Sequence, residues 1–260
     1  MTQISPKVAL HGTRLVHFLS DLAIEDSAFS RKNFAERLGR LIDFSDSMKL
    51  SEIHEKLDKW TFEPAPTPVE TLREDVIRVR MLLVQSIVTS LVPAVEFAHM
   101  KLPSVNAGLT LDKLVTFDPY HRIYASHQRE FEYKIKGLQL RVRDAVSGVS
   151  PDLAKLAALD EAVRDILSAH TLKYLAVIPR LLGKRFDYLL QEYKSLQDES
   201  DPQSNDSQPD EEIMKMWIQP NGWLGKFLGE MQGLLLAELE LRLLPVLGLI
   251  EAVNEQAGKK

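Results

Sequence analysis

The chain has no cysteine among its 260 residues. That removes disulfides, thiolate nucleophiles and every cysteine-based metal or cluster site, and it fits a reducing compartment. Glycine is sparse and scattered, with twelve residues in all. Neither Gly-x-x-x-x-Gly-Lys-Ser/Thr nor Gly-x-Gly-x-x-Gly occurs, so a phosphate-cradling loop and a dinucleotide fingerprint are both excluded. Positive charge is not in excess: 37 acidic against 32 basic residues leave a formal charge of -5, which supplies no global field for nucleic acid or an anionic membrane. Long hydrophobic runs are missing too. The longest uncharged stretch, between Arg80 and Glu96, is fifteen residues; as a helix it spans about 22 Å against a hydrocarbon core of about 30 Å. It also holds Gln85, Ser86, Thr89 and Ser90, which predicts a buried helix of a bundle. The opening residues lack a continuous apolar segment, so an export signal is not expected. Nothing alternates with period two over a useful length, which predicts little or no sheet.

What is present is helical pattern. Hydrophobic residues make up 45% of the chain, enough for a sizeable core. The first sixty residues read as three short helices, about Thr13 to Ile24, Arg31 to Phe44 and Leu50 to Trp60, with Ser30 and Ser45 or Asp46 as boundary residues. Three prolines at alternate positions, Pro64, Pro66 and Pro68, favour a stiff extended connector over 62–68. From Val69 to Lys101 the pattern is helical again. Asp118-Pro119 reads as a capped helix start, followed by a seam of His121, Tyr124, Gln128, Phe131, Ile135, Leu138, Val142 and Ala145 at steps of three and four. Ser150-Pro151 starts the next helix, which continues toward Leu196 with a kink or break near Ile178. The stretch 198–212 has seven acidic residues and no basic or apolar one, which predicts a mobile linker. Beyond it, 213–260 is leucine-rich on nearly all sides, the pattern of a central bundle helix or of half an interface.

These observations predict an all-α fold: an elongated multi-helix bundle with long, proline-kinked, coiled-coil-like helices. Its regions are a small helical part at 1–61, the connector, a main bundle at 69–197, the acidic linker and the C-terminal helix. Pro93, Pro179 and Pro245 each fall within an apolar helical run, where a proline removes a hydrogen bond and costs roughly 3 kcal/mol unless packing compensates. The carbonyls they free, at Thr89, Leu175 and Leu241, need other partners.

Chemistry-bearing patterns are few. Glu96-x-x-His99 and Asp118-x-x-His121 each put a carboxylate and an imidazole on one helix face, as di-metal bundles do twice. Such a site needs two further carboxylates, for which Glu130 and Glu161 stand as candidates, while Asp118 is already accounted for as a cap. His121 and His127 with Glu130 offer acid–base groups. Arg122, Arg129, Lys136 and Arg143 recur every seven residues as a basic stripe; Glu130–Lys134 and Glu132–Lys136 spacing makes it largely a solvated face with ion pairs. Trp217 and Trp223 flank the turn Gln219-Pro-Asn-Gly222 and either staple the last helix to its own core or anchor a partner.

Phe34-Ala-Glu-Arg-Leu-Gly39, Leu41-Ile-Asp-Phe-Ser-Asp46, Pro119-Tyr-His-Arg-Ile-Tyr124 with Ala125-Ser-His-Gln-Arg129-Glu130, Leu156-Ala-Ala-Leu-Asp160, Ile178-Pro-Arg-Leu-Leu182, Arg185-Phe186, Leu235-Leu-Ala-Glu-Leu-Glu240 and Pro245-Val-Leu-Gly248 together resemble a proteobacterial family, domain-of-unknown-function family 3348. These are helix-packing phrases, so no catalytic residue carries over. Members of that family are encoded near membrane proteins similar to flagellar stator components, so the resemblance implies a cytoplasmic accessory of an envelope-associated assembly. The expectation is a non-enzymatic interaction or scaffold protein without a cofactor. It would meet a protein partner or itself through Trp217, Trp223, Leu235, Leu239, Arg122 and Arg129, without nucleic acid and without a transmembrane segment. The competing readings are a metal-dependent enzyme around Glu96, His99, Asp118 and His121, and nucleic-acid binding along the basic stripe.

Overall fold

A computed structural model describes residues 14–15, 44–58, 62, 64, 69–91, 115–198 and 210–257. Its helices are α1 (Phe44–Asp58), α2 (Val69–Leu91), α3 (Asp118–Ser147), α4 (Pro151–Leu175), α5 (Ile178–Asp198), α6 (Asp210–Ile218) and α7 (Trp223–Ala257). There is no strand among the described residues, so the all-α bundle predicted from periodicity is what forms.

The 35-residue α7, about 52 Å long, lies at the centre and packs against α2, α3, α4, α5 and α6. Neighbours on several sides account for most of its apolar surface, while Leu244 and Leu247 are exposed. The second seam is α3, which lies against α2, α4 and α5 as well as α7. Leu83, Ile87, Phe131, Leu138, Leu182, Leu234, Leu235 and Val246 belong to one continuous core that also includes Leu15, Trp217 and Trp223. One core thus crosses the acidic stretch. The last three residues of that stretch, 210–212, belong to α6.

Several helix ends follow from local chemistry. Ser150 is extended, and its Oγ accepts the Leu153 amide at 3.3 Å. That hydroxyl donates to Gln256 Oε1 at 2.8 Å, tying the start of α4 to the end of α7. Between α6 and α7, the Gly222 amide donates to the Gln219 carbonyl at 2.8 Å. A Cβ at Gly222 would collide with the carbonyls of Met216 and Trp217, so only glycine closes this turn.

Other ends differ from expectation. Asp118 is not the cap of α3: that position is Phe117, without a side-chain cap, and Asp118 is the first helical residue. There it acts through the dipole instead. The helix expected over Leu50 to Trp60 begins earlier, at Phe44, and Asp46 lies in its first turn, bonded to Lys49 at 3.3 Å. The two preceding helices, apart from Arg14 and Leu15, and the continuation of α2 past Leu91 with Pro93 lie outside the described residues.

Pro179 does not kink a continuous helix. The chain breaks at Ala176 and Val177, and Pro179 is the second residue of α5, where an amide hydrogen would find no intrahelical partner. Pro245 is inside α7 and exposed. An outward proline lets the helix bend around the core while its freed carbonyl stays near water.

Candidate functional site

The residues expected to form a site do not converge. Glu96 and His99 lie outside the described residues. Asp118 and His121 are exposed at the start of α3, His121 with its ring 5.9 Å from that of Phe117. Among the described residues no three metal-type ligands come together, so the di-metal reading has no geometry beneath it there. Trp217, Trp223, Leu235 and Leu239 are buried in the chain's own core. Trp217 and Trp223 stack edge-on at 5.6 Å beside Tyr193 and Phe186. Their side chains therefore staple α6 and α7 to the bundle and present no open surface to a partner.

The basic stripe also shortens. Arg122 and Arg129 are exposed and donate to carbonyls of their own helix, Asp118 at 3.4 Å and Ala125 at 3.2 Å. Arg143 is buried. A heptad drifts by about 20° on a straight helix, so three heptads turn Arg143 about 60° away from Arg122, into the α3–α4 seam. Glu130 pairs with Lys134 at 2.7 Å as spacing implied, whereas Glu132 reaches across to Arg242 at 2.9 Å.

Three polar clusters do form within the bundle. The first centres on Glu238, whose exposure is 0%. Its carboxylate accepts the Tyr124 hydroxyl at 2.9 Å, Gln128 Nε2 at 3.0 Å and Arg242 Nε at 2.9 Å. Arg242 continues to Glu132, which reaches solvent. Burial first, and then the Glu238 charge, hold the Tyr124 hydroxyl well above its usual range, so it remains a donor. Gln128 Nε2 also donates to the Leu175 carbonyl at 3.3 Å. That carbonyl is the one Pro179 leaves without an amide four residues on. The α4–α5 break is thus closed by a side chain from α3, itself held by α7.

The second cluster joins α2 to α3. His127 Nε2 lies 2.6 Å from Ser90 Oγ, and Ser90 donates to the Ile87 carbonyl at 3.0 Å. Glu130 Oε2 is 3.7 Å from His127 Nδ1, beyond hydrogen-bond reach. Its oxygens are engaged instead by Ser86 at 2.9 Å and Lys134 at 2.7 Å. Ser90, His127 and Glu130 are the residue types of an acyl-transfer triad, but the histidine–carboxylate link is open and Ser90 Oγ also lies against the Ile87 carbonyl of its own helix. The arrangement works as a latch between helices. Burial lowers the His127 pKa from its ordinary 6.5, against the opposing pull of Glu130. For Glu130, burial pushes upward, but hydrogen bonds from Lys134 and Ser86 outweigh it and leave the carboxyl below its usual range.

The third cluster lies between α3 and α4. Arg143 is 6% exposed and its Nε donates to Asp160 Oδ2 at 2.6 Å. Its Nη1 and Nη2 are buried without a partner, as is Nε of Arg164, one helical turn beyond Asp160. An unmet buried donor costs about 1–3 kcal/mol, more when charged.

Sequence reading missed Glu238 and Ser90. In the sequence Glu238 is only a charge interrupting a leucine run, and the one local signal is its i, i+4 spacing to Arg242 within that run. Nothing local identifies Ser90, which meets His127 across 37 positions.

A family model described as "Protein of unknown function (DUF3348)" matches residues 1–255. No curated protein and no solved structure matches the chain.

Proposed function

The chain belongs to the DUF3348 family, whose description assigns no activity, and from its geometry we propose a non-enzymatic interaction protein that receives an amphipathic helix of another protein on the outer face of α2. One observation carries this reading. Ile77, Met81, Val84 and Val88 step by four, three and four along α2; Ile77, Met81 and Val88 are 58%, 66% and 37% exposed, and Val84 between them is partly packed against the core. The opposite face of the same helix is already committed to the core through Leu72, Val76, Leu83 and Ile87. An apolar stripe of three turns, about 16 Å, has the period and length by which one helix anchors another at i, i+4 and i+7.

Four side chains fall well short of the roughly 800 Å² per partner that a stable dimer covers, which favours a partner helix over a second copy. The family resemblance supports a cytoplasmic setting beside an envelope-associated assembly. No helix among the described residues is long and apolar enough to cross a membrane, so the chain would meet such an assembly through a partner.

A photo-crosslinking residue placed at Met81 in the native host tests this, with Glu161 as an exposed control position. The expected result is one defined adduct at Met81, absent at Glu161, and at least a tenfold loss of that partner's affinity in Met81→Glu at unchanged stability. Equal adducts at both positions would sink the reading. A Met81→Glu change that halves the sedimenting mass would replace it with self-association.

A further inference from the structure

We propose that the outward face of α3 docks a helix of another protein whose flank carries acidic side chains at seven-residue spacing. This second docking face uses different residues from the α2 reading and does not rest on it.

Arg122, Arg129, Tyr133, Lys136 and Leu140 fall within a sector of about 60° around the α3 axis. The three cations are exposed, as are Tyr133 at 82% and Leu140 at 48%. Packing against α7 leaves these cations open. Glu132 stands three residues after Arg129 and four before Lys136, where it would neutralise either one, but it bonds Arg242 of α7 at 2.9 Å instead. On the α2 side of the same helix, Lys134 and Arg141 are met by Glu130 and Asp75. Among the described residues no carboxylate pairs with Arg122, Arg129 or Lys136, and the two arginines donate only to carbonyls of their own helix. The acids that share this face, Asp118 and Asp144, lie at its two ends.

A cation followed four residues later by an apolar side chain occurs at Arg129–Tyr133 and again at Lys136–Leu140, one heptad or about 10.5 Å further on. Helices that lie along each other use this repeat, with apolar side chains in the seam and charges beside it selecting the sign of the partner. Leu82 of α2, 49% exposed, widens the apolar strip. It shares its helix face with Asp75 and Ser86, which bond Arg141 and Glu130 of α3. Gly137 lies between Tyr133 and Leu140, and a Cβ there would meet only Arg141 Nη1, at 3.7 Å, so a second helix can approach closely. Two copies of this face would set cation against cation, which disfavours a symmetric dimer. A nucleic acid backbone would use the cations but not Leu140 and Leu82, and the net charge of -5 repels a polyanion.

A photo-crosslinking residue at Tyr133 of the full chain in its native host tests the inference, with the exposed Glu161 as control position. The expected result is an adduct at Tyr133, absent at Glu161, within a helical segment that carries acids seven residues apart. Arg129→Glu combined with Lys136→Glu should lower its yield about tenfold at an unchanged thermal midpoint, and replacing the facing acids of the partner by arginine should restore it. Arg129→Gln with Lys136→Gln should give an intermediate loss, and it decides the matter if the reversed variant does not fold. An adduct with nucleic acid or with a segment lacking acids would overturn the inference. So would equal adducts at both positions, or a yield that neither double variant changes.

Discussion

Glu238 and Arg143 are both charges buried in one helical bundle, but they differ in how they are met. Glu238 sits on α7 with donors from Tyr124, Gln128 and Arg242 closing around it. Arg143 sits on α3 with one acceptor and two buried nitrogens left unmet. A fully satisfied buried network rigidifies and specifies packing, whereas a partly satisfied one bears the desolvation cost of its unmet groups. The first region therefore specifies packing, whereas the second carries the cost of unmet buried donors. Glu238 lies where α3, α7 and the α4–α5 break converge, and Arg143 lies in the α3–α4 seam against a partly exposed Asp160.

The sharpest break of the contrast is a pair of variants. Glu238→Ala strands three donors in the core and should cost about 3–5 kcal/mol in urea unfolding. Arg143→Met combined with Asp160→Leu replaces the whole half-met pair by apolar volume and should stay within about 1 kcal/mol of the parent. Equal losses in the two variants would erase the distinction. Next in size is Gln128→Ala, which leaves the Leu175 carbonyl unmet and removes one donor from Glu238. It should cost about 1–3 kcal/mol, with faster hydrogen exchange around 172–178 as the local signature.

The smallest effect is a pH dependence that adds the α2–α3 latch to the comparison. Because folding lowers the His127 pKa, the unfolded chain binds more protons just below the ordinary histidine value. His127 then contributes stability that is complete above pH 6.5 and declines as pH falls through the folded value. Glu130, also lowered, contributes in the same direction at more acid pH, declining below its ordinary 4.5. His127→Phe should flatten the upper part of that decline and leave the lower part in place. A profile unchanged by this substitution would show that the latch does not sense protons.

Much of the fold was legible in the chain because helices announce themselves locally. The seam positions Tyr124, Phe131, Ile135, Leu138, Val142 and Ala145 are buried as their spacing implied, and Ser150 caps as its type implied. The misread seam residue is instructive: His121 points out and Tyr120 and His127 point in, since a 3.6-residue turn allows either neighbour to take the inner position. The polar clusters were not legible. Tyr124 and Glu238 are 114 positions apart, and nothing local to either requires the other. Pro179 shows both levels at once. The sequence identified the carbonyl it frees, at Leu175, but only the packing of α3 revealed that Gln128 answers it.

By itself, then, the sequence determined helix identity, the breaks at Ser150 and near Ile178, and the absence of cysteine and glycine-loop chemistry. These depend on backbone sterics, side-chain period and residue inventory, which act within a few residues. Tertiary structure alone decided that the leucine-rich helix is this chain's own centre, that Trp217 and Trp223 face inward, and that Arg143 leaves the surface stripe for the interior. Those outcomes depend on which faces meet, and burial turns that meeting into energy because a charge withdrawn from water must find its partner among residues distant in the chain.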